Sequence, residues 1–381
     1  MRRRLHRSPE LGGEETHTSA LITEYLQALG LEVRRPHGTA VLGVLRGRVS
    51  GPAVLLRAEL DALPIQEVPG RSYGSQVPGC MHACGHDGHM AMLVGTAMLL
   101  AEERDGLAGE VWFLFQPAEE KLPVGGARAL VEAGLLARGP VELALGLHLW
   151  PDLPVGTVGL RPGPVMAAGD IFRVTFTGDG GHAAQPHAAS DTVASAGHAV
   201  IALQGLARRQ VNAVSPVVVS VGMVQAGSSP NVLPAEAALA GTTRYLDSEL
   251  GAVLKTQVQS IARAVAGIHG CRAEVDYQPG YPAIVNHPEA TERVAQAVLK
   301  SMGAGALRQD LAASMLSDDF SYLGREVPSG YFWLGAAGAG PRPTLHSPHF
   351  DFDEQALVCG TAVLSQVCLA KLVRKEVHGD G

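Results

Sequence analysis

The sequence predicts an α/β protein, a mostly parallel sheet flanked by helices and interrupted by an inserted α+β, ferredoxin-like domain. Three observations predict it. Up to about residue 165, short apolar strand-like runs alternate with helical runs, the pattern of crossover units in a parallel sheet. From Asp170 the order becomes strand, helix, two strands, helix, strand, which resembles a split αβ sandwich on an antiparallel sheet. Residues able to do chemistry collect where apolar runs end, and ligands of parallel sheets gather beyond the carboxyl ends of strands. With 381 residues the chain exceeds what one hydrophobic core usually serves. The expected division is 1–166 with 279–381 as one domain and 167–278 as the insertion.

In chain order, Thr18 to Leu29 has apolar residues at helical spacing and Gly30 as its stop. Strand-like runs follow at Ala40 to Leu45 and Ala53 to Ala58. The second run ends in Glu59-Leu60-Asp61, carboxylates at alternate positions and so on one side of the strand end. Such carboxylates are usually solvated caps, but they also support metal ligands. Met81 to His89, MHACGHDGH, then packs one thiol, three imidazoles and a carboxylate into nine residues. That composition does not suit a core. It leads into a buried helix expected from His89 to about Arg104, with the apolar run Met90 to Leu100 at its heart, and loop-to-helix entries on a rigid scaffold commonly carry chemistry. Thiolate with imidazole suits zinc or a neighbouring divalent transition metal.

Glu110 to Phe115 is the next buried strand and delivers Gln116-Pro117-Ala118-Glu119-Glu120. Adjacent glutamates project differently, so one can bind metal while the other works on a water. Leu143 to Leu149 carries His148 near its end, where a core histidine and a ligand are both open readings. The inserted segment reads as strands Ile171 to Thr177, Pro216 to Val224, Ala235 to Tyr245 and Glu274 to Gln278, with helices Asp191 to Gln210 and Ser248 to His269. Helix Glu289 to Met302, strand Tyr331 to Gly335, a Gly/Pro loop over 336–343 and a final helix from Asp353 to about Arg374 complete the chain. His346 and His349 sit just before that helix, where a surface loop is the ordinary reading.

Apolar residues make up 46% and charged residues 18%, so the chain is globular rather than disordered. Net charge is −7, and no basic stripe is interleaved with aromatics, which argues against nucleic acid as a partner. The basic start MRRRLHRSPE has no apolar run behind it, and Ala91 to Ala101 is too short to cross a bilayer, so no membrane partner and a cytoplasmic location are expected. Five cysteines argue against a disulfide framework. Cys84 is thereby free as a metal thiolate.

Seven runs in order, AELDALP, MHACGHDGH, FQPAEE, GLHLWP, GGHAAQPH, SPNVLPAEAALAGTTR and LHSPHFDFDE, resemble the zinc aminoacylase/carboxypeptidase metallopeptidase family, in its branch of hippurate and indole-acetyl-amino-acid hydrolases. The resemblance spans nearly the whole chain. It implies a zinc-exopeptidase-like catalytic domain with two divalent ions, zinc by default, with manganese, cobalt or nickel as other candidates. It implies that the insertion is a lid and dimerisation domain, making a homodimer. Carried over by residue, Cys84, His86, Glu120, His148 and His346 bind metal, Glu119 is the general base and Asp61 supports a ligand. His182 stabilises the transition state, and Asn231 and Arg244 contact the substrate carboxylate. Glu59 stands where the branch usually has aspartate, Lys121 where glycine is common, and Asp318-Asp319 where Glu-Asp is usual; none of these removes a ligand. The implied reaction is hydrolysis of an N-acyl-L-amino acid to a carboxylate and an amino acid. A dipeptidase or carboxypeptidase acting on short peptides, and a silent binder of amino-acid conjugates, are the alternatives.

Overall fold

The computed structural model describes the chain apart from residues 138, 210, 339, 341–343 and 374–381. The chain divides into two compact units, one of Met1–Val165, Val285–Ala312 and Asp319–Gly381, the other of Met166–Ile284 and Ala313–Asp318. The second unit ends past Pro279 because its last strand runs unbroken over Arg272–Tyr281.

In the first unit eight strands form one sheet, in the order Glu32–Arg34, Val41–Arg46, Ala108–Gln116, Val49–Glu59, Val141–Pro154, Ser329–Ala337, Val158–Gly159 and Leu307–Arg308. The four central strands are parallel to one another, and the strands flanking them, Val41–Arg46 and Val158–Gly159, pair antiparallel. Their apolar runs are buried along most of their length, as a sheet covered on both faces requires. Because they are parallel, Glu59, Gln116, the end of the 141–154 strand and Ala337 all finish at one edge. The segments leaving that edge carry the chemistry.

Two helices packed in the same core have no polar face. His86–Glu102 is buried nearly all round, and Gln355–Leu372 is long and apolar enough to cross a membrane. The latter, whose apolar residues are interrupted by Gly360, Thr361, Ser365 and Gln366, buries Ala356, Val363, Leu364, Val367, Cys368 and Leu372 in the core. The expected extension of this helix to Arg374, the end of the inserted helix at Gln210, and much of the 336–343 loop lie outside the described residues. The first of the two helices begins at His86, three residues before the periodicity suggests, since Gly and His obscure an apolar pattern.

The second unit is a four-stranded antiparallel sheet in the order Val217–Ala226, Glu236–Tyr245, Ala168–Thr177 and Arg272–Tyr281. Helices Thr192–Arg209 and Leu250–Ile268 pack on it around Phe172, Val174, Phe176, Leu239, Leu254 and Val258. Numbered along the chain the strands lie 2-3-1-4, the ferredoxin-like order.

Candidate metal centre

Strand Val49–Glu59 places Arg57, Glu59 and then Asp61 on one side of its end, all buried. Asp61 ties two segments together. Its carbonyl accepts His86 Nδ1–H at 2.8 Å, and its Oδ2 accepts the Glu120 N–H at 2.8 Å. The first bond makes His86 Nδ1 the donor and leaves Nε2, a buried nitrogen with no hydrogen-bond partner, as the ring atom facing the cluster.

The loop entering the His86–Glu102 helix turns at Gly85, whose φ of +90° is costly for any residue with a Cβ. The same turn sets Cys84 before the helix and His86 in its first turn. Two other site segments hold a non-glycine residue in the left-handed region, Ala118 at φ +57° and His346 at φ +62°. Such conformations persist where their surroundings over-determine them. Here the Ala118 N–H is held by Glu15 Oε1 at 2.8 Å, and the His346 N–H by the Ala83 carbonyl at 2.8 Å.

These restraints bring the donors together. One ligand atom each from Cys84, His86 and His148 lies within 4.8 Å of the others, and the same holds for Cys84, Glu120 and His346, and for His86, Glu119 and Glu120. The triads share members, so six side chains from four segments form one cluster inside the first unit. His148 Nε2 is 3.3 Å from Cys84 Sγ, and His346 Nε2 is 3.1 Å from Glu120 Oε1. His86 Nε2 is 3.9 Å from Glu119 Oε2. All are buried or partly buried except His346, which is half exposed at the rim.

The electrostatics suit a cation. Burial disfavours a charged His86 ring, but Glu59, Asp61 and Glu120 outweigh it and push its pKa up to about 10. Burial, reinforced by Glu120 and Glu119, also raises the Cys84 thiol well above its ordinary value. The cluster thus holds excess negative charge that a proton on His86 partly offsets, and a divalent ion would displace such protons. His148 is held neutral, pushed down to about 3 by burial and by the nearby His89 and His86, as a ligand imidazole must be. Sulfur, nitrogen and oxygen donors together fit zinc or a similar transition metal.

The three imidazoles of MHACGHDGH do different things. His86 belongs to three donor sets. His82 is buried, pushed down to about 4 by burial, and shares no donor set with the others. His89 falls beside Glu59 and His86, yet both of its nitrogens are spent, on Glu59 Oε2 at 2.7 Å and on the Leu149 N–H at 3.0 Å.

Of the residues in the second unit, His182 and Asn231 come together. His182 pairs with Val232 in a two-stranded ladder, and the Ala183 N–H donates to the Asn231 carbonyl. His182 Nδ1 accepts the Ala184 N–H at 3.1 Å, which makes Nε2 the donor nitrogen of the neutral ring. Arg244 lies elsewhere. It is opposite Gly169 at one end of the sheet, whereas His182 and Asn231 follow the other end, where Thr177 opposes Glu236. From Glu236 to Arg244 is roughly 26 Å at about 3.3 Å per strand residue. Asp170, which accepts from Tyr245 and Tyr277 hydroxyls at 2.9 and 2.8 Å, anchors the Arg244 end.

The sequence reading missed Arg57. Its guanidinium bonds Glu59, Gln116 Oε1 at 2.9 Å and Asp319 Oδ1 at 2.6 Å, all buried. A charge two positions before Glu59 in an otherwise apolar strand was the available signal.

Comparison with known proteins agrees with this architecture. Residues 55–370 match the model of peptidase family M20/M25/M40. The chain is 42% identical over 293 residues to an N-acyl-L-amino acid amidohydrolase of Geobacillus stearothermophilus, covering 77% of this chain and 78% of that one. It is 37% identical over 365 residues to thermostable carboxypeptidase 2 of Saccharolobus solfataricus, covering 94% and 91%. Among solved structures it resembles a dinuclear metal binding peptidase of Bacillus subtilis, with a TM-score of 0.83, 34% identity and coverage of 98% and 96%. A match over most of the chain, together with a buried S/N/O donor cluster at the carboxyl edge of the sheet, means that the chain belongs to peptidase family M20/M25/M40 and is a metal-dependent amide hydrolase.

Proposed function

We propose that the protein hydrolyses the amide bond of N-acyl-L-amino acids, hippurate-like or N-acetylated, to a carboxylate and a free amino acid. The observation that carries this reading is the set of overlapping donor triads beside Glu119. Cys84, His86, Glu120, His148 and His346 would hold two divalent ions, zinc in the first place and manganese, cobalt or nickel as other candidates. Such a pair, when bound, supplies an acidified water and a polarised substrate carbonyl. Glu119 takes the proton from the water and returns it to the departing amine. Asp61 keeps His86 and Glu120 in register through the two bonds it accepts. His182 Nε2 donates to the oxygen of the tetrahedral intermediate, and Asn231 and Arg244 recognise the substrate carboxylate, for which a guanidinium fork is suited.

The separation within the second unit supports a homodimer. An acylated amino acid spans two residue lengths of about 3.6 Å each, far less than the roughly 26 Å of strand between Arg244 and Glu236, the end that His182 and Asn231 follow. One subunit's insertion therefore does not deliver both to one substrate, whereas two subunits exchanging ends would. The five cysteines are all free thiols, which accords with a cytoplasmic enzyme.

A short-peptide carboxypeptidase is the second reading, favoured by the similarity to the Saccharolobus enzyme. Metal-reconstituted protein is assayed on N-acetyl, N-benzoyl and dipeptide substrates, each with a free and an amidated carboxyl end. Turnover dominated by acylated amino acids is expected; dipeptides turned over faster would transfer the protein to the second reading. Arg244→Ala should raise KM only for free carboxylates, and equal losses on the amides would remove the clamp.

A further inference from the structure

The Val49–Glu59 strand pairs with Val141–Pro154 only as far as Leu56 opposite Leu145. Past that point one edge of the longer strand has lost its ladder partner, while the other edge still pairs with Ser329–Ala337. His148 and Leu149 lie on this half-covered stretch. A buried N–H without an acceptor is costly. The Leu149 N–H finds its acceptor in a side chain, His89 Nε2, at 3.0 Å.

That bond dictates the state of the ring. Nε2 must offer its lone pair to Leu149, so the proton sits on Nδ1, and Nδ1–H donates to Glu59 Oε2 at 2.7 Å. The other oxygen of Glu59 is held by Arg57, whose guanidinium is in turn fixed by Gln116 and Asp319. His89 is 2% exposed, Glu59 1% and Arg57 3%, so none of these bonds has water as a ready substitute. At the far end, the Leu149 carbonyl accepts His148 Nδ1–H at 2.7 Å, which directs His148 Nε2 to within 3.3 Å of Cys84 Sγ. The His89 and His148 rings meet edge to face, with centroids 4.9 Å apart. His89 itself has no lone pair left for an ion.

We propose that His89 and Glu59 are positioning residues for His148: they grip the backbone at Leu149 and thereby aim the His148 ring at the metal centre. A His three residues after a ligand in a helix shares its face, which is how the motif yields one donor and one brace. The proposal rests on Cys84 and His148 being metal ligands, and the test separates the two claims.

Metal affinity is measured by competition with a chromophoric chelator, and the cobalt-substituted protein is examined for its thiolate charge-transfer and d–d bands. The variants are His89→Leu, His89→Gln and His148→Ala. His89→Leu should weaken affinity about ten- to hundredfold, the range seen when partners of metal ligands are removed, and shift the cobalt bands. His89→Gln, whose Oε1 can still accept the Leu149 N–H, should restore most of both. Wild-type affinity and bands in His89→Leu would overturn the proposal, as would equal losses in the Leu and Gln variants, since ring packing alone would then be responsible. If His148→Ala leaves affinity unchanged, the ligand reading fails; if it abolishes binding while His89→Leu does not, only the positioning role fails. Nitrogen NMR of the metal-free wild type needs no folded variant. It should show His89 protonated at Nδ1 and bare at Nε2, and the opposite tautomer would overturn the proposal.

Discussion

Glu119 and Glu120 are neighbours in sequence with different surroundings, and the division of labour between them is a residue-scale question. The Glu120 N–H is pinned to Asp61, and its carboxylate shares a donor set with Cys84 and His346, whereas Glu119 is grouped with His86 and not with Cys84 or His346. On the proposed reading Glu119→Gln keeps the metal content of the wild type while kcat falls about 10²- to 10⁴-fold, the usual weight of a general base. Metal analysis beside steady-state kinetics checks this; a variant that loses metal as well would make Glu119 a ligand. A second residue-scale prediction concerns pH. The His6 ring is buried, which disfavours its charge, but Asp87 and Glu67 outweigh burial and raise its pKa above the ordinary 6.5. A raised histidine contributes stability that is fully present below the unfolded pKa and is lost as pH rises through the folded one. Urea midpoints of the metal-free protein should therefore fall from about pH 6.5 upward, and His6→Gln should flatten that fall. Asp87 acts in the opposite sense. Burial raises its carboxyl, but Arg2 and His6 hold it far below the carboxylate range, so its contribution is present at neutral pH and is lost on acidification.

At the scale of elements, the helix His86–Glu102 is placed by close contacts that tolerate little. A Cβ on Gly88 would come within 2.6 Å of Phe352 Cζ and 2.8 Å of Leu149 Cδ1. Gly88→Ala should cost about 1–3 kcal/mol as an overpacked core and weaken metal binding, because the helix carries His86 and its neighbour Leu149 sets His148. Thermal denaturation with and without metal reads both effects; a variant destabilised without change in metal affinity would uncouple helix placement from the site. Most elements were legible because the strands are apolar runs between turn signals and the amphipathic helices repeat at their own period. The start at His86 and the membrane-like apolarity of Gln355–Leu372 were not, since helices whose exposed positions, such as Met98, Leu99 and Val358, are themselves apolar have no polar face to mark their phase.

For the whole molecule the decisive distance is the one along the Glu236–Tyr245 strand. If His182 serves the partner's site, mixing Glu119→Gln with His182→Ala subunits restores activity that neither has alone. One intact site per mixed dimer gives roughly a quarter of wild-type turnover after random exchange. No recovery after confirmed subunit exchange would put His182 in its own subunit's site. The metal cluster, by contrast, belongs to one unit, where the parallel sheet gathers Asp61, Glu119, Glu120 and His148 at a single edge.

The letters alone determined the fold class, because period and strand ends are local properties, while the full donor set came from the resemblance of seven ordered runs and not from any one residue's surroundings. Which of three close histidines has a free nitrogen, what Arg57 holds, and that Arg244 sits at the end of its sheet opposite the one from which the chain leads to His182 were decided only in three dimensions. A lone pair is free or occupied according to the groups that surround it, and those groups come from strands and helices far apart in the chain.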